Sequence, residues 1–297
     1  MKQPLIVIVG PTASGKTSLS LALAKKFHGE IVSADSRQVY RGMDIGSGKA
    51  TKKEQTIVPH HLLDVATPTQ EYTVAHFKRD AQKAIYDIHR RGHLPFLVGG
   101  TGFWIRTVID DLALPSVKPN KKLRARLMKK SPAQLYTLLK GLDPRRAKTI
   151  DRQNPYRLIR AIEIIKATDA AVPPLTKSNP YRILMIGINP PQKKLHRNIA
   201  IRLRSRLQRG MIAEVQRLHR RGVSWKRLEA LGLEYRYISR YLQRKLSRQD
   251  MVRQLEHEIQ QYAKRQRTWF RPDTHIHWNL TRLEIARLIA SHIHQKK

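Results

Sequence analysis

Three short runs in this 297-residue chain hold side chains of a type and spacing that could do chemistry. Gly10-Pro11-Thr12-Ala13-Ser14-Gly15-Lys16-Thr17 fits G-x-x-x-x-G-K-[ST]. The glycines let backbone N–H groups wrap phosphate oxygens, and a following helix N-terminus adds partial positive charge. Lys16 supplies a point charge, and the Thr17 hydroxyl suits a Mg²⁺ ion. A nucleoside triphosphate is the default occupant of such a loop, and a diphosphate ester fits the same cradle. Asp35-Ser36-Arg37-Gln38 carries a carboxylate that can orient or deprotonate a nucleophile. Asp is equally good at capping a helix, and spacing alone does not choose between the two. Gly99-Gly100-Thr101-Gly102 allows close backbone approach and offers the Thr101 hydroxyl to a leaving phosphate oxygen, or is simply a tight turn.

The segments around these runs have the form needed to position them. Leu5 to Val9 is an apolar run ending at Gly10 and reads as a buried strand. Leu19, Ala22, Leu23 and Phe27 give the next segment a helical face. Glu30 to Ala34 is a second strand ending at Asp35. Val74, Phe77, Ala81, Ile85 and Ile88 mark another helix, and Leu94 to Val98 is a strand ending at the glycines. Strands alternating with helices predict a parallel sheet with its ligands at the carboxyl ends. Prolines 115, 119, 132, 144 and 155 punctuate a run of short basic helices, and Tyr181 to Ile188 reads as a return to the sheet. The rest is helical: Val252, Leu255, Ile259 and Tyr262 form an apolar stripe, and the helix ends near Pro272. Thr274 to Trp278 reads as a last strand, and Thr281 with Glu284 has capping-box spacing.

The fold class is therefore α/β: a P-loop NTPase-like parallel sheet flanked by helices, with a helical insertion domain. Residues 1–113 and 181–297 make the P-loop core with basic C-terminal helices, and 114–180 the insertion. Basic residues outnumber acidic ones 58 to 22, a net charge of +36. The excess is uneven, with 15 against 10 in residues 1–113, 16 against 4 in 114–180 and 27 against 8 in 181–297. Such a footprint points to a polyanion, most often nucleic acid. The absence of cysteine removes disulfides, thiolate metal sites and Cys nucleophiles. The longest apolar stretch, Leu94 to Ile105, is too short for a membrane span, so a soluble cytoplasmic protein is expected. His60-His61 lacks an acidic or thiolate cluster to complete a metal site and reads as a hydrogen-bonding pair.

Taken together, the phosphate loop at 10–17, Ala34-Asp35-Ser36, Val39-Tyr40, Met43-Asp44-Ile45-Gly46, Pro59-His60-His61-Leu62-Leu63-Asp64 and Val98-Gly99-Gly100-Thr101-Gly102 form a recognisable series. It continues through Asn154-Pro155-Tyr156-Arg157-Leu158-Ile159-Arg160-Ala161 and Tyr262 to Arg271. The chain resembles bacterial tRNA dimethylallyltransferases. Phe103-Trp104 stands where Leu-Tyr is more usual, and Leu231-Gly232-Leu233-Glu234-Tyr235 departs from the usual Ile-Gly-Tyr.

The resemblance implies transfer of a prenyl group from dimethylallyl diphosphate to the exocyclic amine of adenosine 37, beside the anticodon of tRNA. It makes Asp35 the proton acceptor and Thr101 a hydrogen-bond donor to the leaving diphosphate. The loop from Gly10 to Thr17 holds that diphosphate with Mg²⁺ on Thr17. Arg202, which has Arg204 and Arg206 close by, is the implied diphosphate-binding arginine. Implied tRNA contacts are Asp35, Ser36, Arg37, Gln38, Thr101, Arg124, Tyr156, Arg157, Leu158, Ile159, Arg160, Lys264 and Arg265. The implied partner is the anticodon stem-loop, and the implied state a monomer. Two other classes use part of the same features. A small-metabolite kinase uses the loop but leaves the basic insertion idle, and a non-catalytic RNA binder makes Asp35 and Thr101 accidental.

Overall fold

The computed structural model describes residues 2–294. It separates into two compact units, Leu112–Ser178 and the remainder of the chain.

The larger unit is built on six parallel strands in the order β3-β2-β4-β1-β5-β6. Its first half runs β1 (Gln3–Val9), α1 (Lys16–Lys26), β2 (Gly29–Ala34), α2 (Lys52–Ile57), β3 (His60–His61), α3 (Val74–Arg90), β4 (Leu94–Gly99) and α4 (Gly102–Ile109). β1 is central, with β4 and β5 on either side, so it is apolar on both faces. Leu5, Val7 and Val9 enter one core cluster, and Ile6 and Ile8 enter the other.

The smaller unit holds α5 (Lys121–Leu127), α6 (Pro132–Leu142), α7 (Pro144–Thr149) and α8 (Pro155–Thr168). Each has a side-chain cap, from Asn120, Ser131, Asp143 and Asn154, and the last three place Pro in the first turn. Pro lacks the N–H that a first turn leaves unpaired, so it starts these helices at no cost. Leu127, Leu135, Leu139, Leu158, Ile162 and Ile165 make this unit's own core.

The larger unit resumes with β5 (Tyr181–Gly187), α9 (Gln192–Gln208), α10 (Met211–Arg220), α11 (Trp225–Leu231), α12 (Leu233–Leu242), α13 (Arg248–Phe270), β6 (Ile276–Trp278) and α14 (Arg282–His294). α3, α4 and α9 to α13 cover one face of the sheet, and α1 and α14 the other.

Two expectations change. The buried line of α13 is Met251, Leu255, Ile259 and Ala263, because Tyr262 turns away from the core cluster. The final strand begins at Ile276, because Asp273 accepts the His275 N–H and holds the preceding residues in a turn. His60–His61 forms an edge strand, too short to leave a periodic signal. The Thr281–Glu284 capping box is present.

Candidate active site

The loops after β1, β2 and β4 open at the same edge of the sheet, as parallel pairing requires. The phosphate loop is held in backbone conformations that suit glycine: φ is +150° at Gly10 and +101° at Gly15. A Cβ at Gly10 would also collide with the Ile188 carbonyl. The Ser14 hydroxyl is buried without a hydrogen-bond partner. Lys16 Nζ curls back to donate to the carbonyls of Gly10 at 2.9 Å and Pro11 at 2.7 Å.

Around this loop lies a cavity of about 550 Å³. Lys16, Thr17, Asp35, Gln38, Arg202 and Tyr262 are among the side chains that line it. Burial and the neighbouring Arg202 guanidinium push the Lys16 ammonium down to about 7, against the opposing pull of Asp35. Arg202 is pushed down to about 10, by burial first and by Arg206 second. The site thus gathers two partly buried cations that disfavour each other's charge, an arrangement that favours an anion between them.

Among the three neighbouring arginines, Arg202 donates to the Thr12 hydroxyl in the loop. Arg206 is buried, donating to the Gly46 carbonyl and the Glu234 carboxylate at 3.1 Å each. Arg204 points to solvent. Gln266, one turn after Tyr262 on α13, accepts the Thr12 N–H at 2.7 Å and donates to the Gly100 carbonyl at 2.9 Å. It ties the phosphate loop to the turn after β4. Sequence reading gave Gln266 no role, although it sits within the segment that carried the resemblance.

Asp35 caps no helix: the chain after it runs through turns, and its carboxylate accepts the Arg37 N–H at 2.8 Å. The rest of that carboxylate is left to the cavity. Arg37 donates to the Leu231 carbonyl at 2.5 Å, and Gln38 donates to the Gly48 carbonyl at 3.2 Å. Thr101 lies beside the cavity, accepting the Ser36 N–H at 3.4 Å and hydrogen-bonded to Tyr262. Burial first and Asp35 second hold the Tyr262 phenol well above its ordinary value, so it stays neutral. A loop at Asp44–Gly48 forms another wall. Glu214, fully buried, accepts the N–H groups of Asp44, Ile45 and Gly46 at 2.9, 2.7 and 3.0 Å and the Tyr235 hydroxyl at 3.0 Å. This carboxylate had no sequence signal, because three of its four donors are backbone groups about 170 residues away.

The remaining candidates lie elsewhere. In the smaller unit, Glu163 accepts two bonds from Arg124 at 2.8 and 2.7 Å and one from Arg160 at 2.5 Å. Burial alone would raise the Glu163 carboxyl, but these arginines and the Asn120 N–H hold it at about 2. Leu158 and Ile159 are corrected as side-chain contacts: both side chains are in the unit's core. Tyr156, 73% exposed, and Arg157 face solvent. On α13, Arg265 leans over the Tyr262 ring and toward Glu258, while Lys264 lines a different pocket. His61 bonds Glu30 and His60 bonds the Val58 carbonyl.

Comparison with known proteins follows the same pattern. A family profile described as IPP transferase matches residues 38–273, and one described as isopentenyl transferase matches residues 3–66. The chain is 44% identical to the tRNA dimethylallyltransferase 1 of Geotalea uraniireducens (strain Rf4), over 92% of this chain and 91% of that protein. It is 45% identical to the tRNA dimethylallyltransferase 2 of Treponema denticola, over 91% and 92%. Among solved structures, the full-length tRNA isopentenylpyrophosphate transferase of Bacillus halodurans superposes with a TM-score of 0.75 at 36% identity, covering 98% of this chain and 97% of that one. A eukaryotic dimethylallyltransferase acting on tRNA superposes with a TM-score of 0.73 at 26% identity, covering 90% and 70%.

Proposed function

The chain belongs to the IPP transferase family, and from that membership we propose how its cavity carries out prenyl transfer. It moves a dimethylallyl group from dimethylallyl diphosphate to tRNA. The acceptor is the exocyclic amine of adenosine 37, next to the anticodon. The reading of the site rests on one observation: the Asp35 carboxylate, the Lys16 and Arg202 cations and the phosphate loop line a single cavity.

The diphosphate lies in the loop, where backbone N–H groups, Lys16 and Arg202 receive its charge. Asp35 holds the amine against the first carbon of the prenyl chain. As the N–C bond forms and the C–O bond to the diphosphate breaks, the amine proton passes to Asp35. The bonding pair leaves on the diphosphate oxygen, to which Thr101 donates. Gln266 keeps the loop and the Thr101 turn in register.

The donors suit Mg²⁺. The Thr17 hydroxyl lines the cavity and would hold the ion, with its other ligands from water and substrate phosphate. Among the described residues no group of three or more His, Cys, Asp or Glu forms a cage, and this ion needs none. When bound, the ion offsets charge on the leaving diphosphate.

Ser36 and Gln38 beside the cavity, Arg124, Tyr156, Arg157 and Arg160 of the smaller unit, and Lys264 and Arg265 on α13 are the proposed tRNA contacts. Among the described residues no helix is long and apolar enough to cross a membrane, and we place the monomeric protein with tRNA in the cytoplasm. The test is incubation with labelled dimethylallyl diphosphate and unmodified tRNA in the absence of ATP. Label in the RNA is the expected result. ATP-dependent phosphorylation of a small metabolite, with no label in RNA, would overturn the reading.

A further inference from the structure

Two buried charged groups behind the phosphate cavity take no part in the transfer described above. Arg202 and Arg206 share a face of α9, one turn and about 6 Å apart along the axis. Arg202 lines the cavity and reaches the phosphate loop. Arg206 is buried outside it, donating to the Gly46 carbonyl and the Glu234 carboxylate at 3.1 Å each. The wall between Arg206 and the cavity is thin. Gly48 lines the cavity, and a Cβ on it would collide with the Arg206 guanidinium. A second guanidinium therefore stands one backbone layer behind the cavity.

Glu234 is its counter-ion. This carboxylate sits in the first turn of α12, where negative charge suits a helix N-terminus. It falls in Leu231-Gly232-Leu233-Glu234-Tyr235, the segment in which the chain departs from the usual Ile-Gly-Tyr. Its side chain is 9% exposed and that of Arg206 4%, so salt and water screen the pair little. Both charges are felt in the cavity: Arg206 disfavours the charge on Arg202, and Glu234 favours it. A fixed positive charge beside an anion site tightens the anion, and a carboxylate against that charge cancels the gain. With Arg206 unbalanced, the site would grip the prenyl donor and its diphosphate product alike. Such uniform binding does nothing for the chemical step and slows release.

We propose that Glu234 acts on the donor site through Arg206: it balances the guanidinium behind the cavity wall and so limits how tightly diphosphate is held. The proposal rests on diphosphate occupying the phosphate loop and deepens that reading by naming what sets its release.

The test is calorimetric titration of inorganic diphosphate into the unaltered protein and three variants. Glu234→Gln keeps an oxygen for the Arg206 N–H and loses the charge. It should bind diphosphate about tenfold more tightly, as expected for one poorly screened unit charge nearby. Its steady-state prenyl transfer should fall more than its single-turnover rate, because release is the step that slows. Glu234→Asp keeps the charge, and Arg206→Gln/Glu234→Gln removes both charges; each should return close to the unaltered affinity. A purely structural role cannot produce a gain that the double variant cancels. Unchanged or weaker diphosphate binding by Glu234→Gln would overturn the proposal. So would a Glu234→Asp variant whose affinity departs from the unaltered one as far as that of Glu234→Gln. Lys16→Ala is titrated alongside: full retention of diphosphate binding there would instead overturn the placement of diphosphate in the loop, on which the proposed function rests.

Discussion

Lys16 is a cation held where its charge is disfavoured, and this has a measurable consequence. With a value of about 7, set first by burial and then by Arg202, it is largely neutral in the free protein above that pH. A bound diphosphate favours the charged form, so binding must take up a proton there. Uptake should therefore be larger at pH 8 than at pH 6. Calorimetry of dimethylallyl diphosphate binding in buffers of different ionisation enthalpy measures this directly. A heat independent of buffer at pH 8 would mean that Lys16 is charged throughout. Asp35 carries a second prediction. Adenine's exocyclic amine is a poor nucleophile, and general-base help is worth ~10²–10⁴-fold. Asp35→Ala should slow single-turnover transfer by about that factor, with much smaller changes in either substrate's affinity. Asp35→Asn keeps the acceptor for the Arg37 N–H and loses the base, so a rate near the unaltered one in that variant would reduce Asp35 to a turn residue.

At the scale of elements, the loop Asp44–Gly48 is held by Glu214 from another part of the chain. Both oxygens accept two N–H or O–H donors. Glu214→Gln must therefore aim an NH₂ at two donors whichever way the amide turns. We expect a loss of about 1–3 kcal/mol, the usual cost of unsatisfied buried groups. Because Ser47 and Gly48 line the cavity, KM for dimethylallyl diphosphate should rise several-fold more than kcat falls. A lower urea midpoint with KM unchanged would confine Glu214 to folding. In the smaller unit, Arg124 and Arg157 should behave differently. Arg157 is exposed, so Arg157→Gln should flatten the salt slope of tRNA binding by about one unit and leave stability alone. Arg124→Gln strips two bonds from buried Glu163 and should lower stability by about 1–3 kcal/mol. Equal urea midpoints for the two variants would contradict that division.

For the whole molecule, acid is the weak side. Glu30 lies at the amino ends of β2 and β4, where Arg91, His61 and His93 all bond its carboxylate. Burial alone would raise it, but these three partners hold it at about 2, against an ordinary 4.5. A depressed carboxylate stabilises the fold above its unfolded value and loses that contribution as pH falls toward its folded one. Glu163 titrates over the same window. The melting temperature should therefore drop steeply between about pH 4.5 and pH 2. Glu30→Gln should melt lower at pH 7 and show a flatter curve through that window. Parallel curves for the two proteins would mean that Glu30 does not couple folding to protons.

The sequence by itself determined β1, β2, β4 and β5, the phosphate loop and the acid after β2, because each is written in contiguous residues. Leu5 to Val9 must be buried on both faces, and a loop of Gly10–Thr17 composition between strand and helix can do little besides hold phosphate. The excess of 58 basic over 22 acidic residues likewise needed no structure to point to a polyanion. Only the tertiary structure decided which of Arg202, Arg204 and Arg206 meets the loop: Arg204 falls on the other side of the helix, but Arg202 and Arg206 share a face, and packing alone sends one to Thr12 and the other to Glu234. It alone turned Arg124 and Arg160 onto Glu163, and buried Leu158 and Ile159. It alone brought Gln266 to Thr12 and Glu214 to Asp44, pairs separated by 254 and 170 residues. Such contacts leave no local pattern, because a buried side chain bonded to backbone is specified by where the chain returns and not by what lies beside it in sequence.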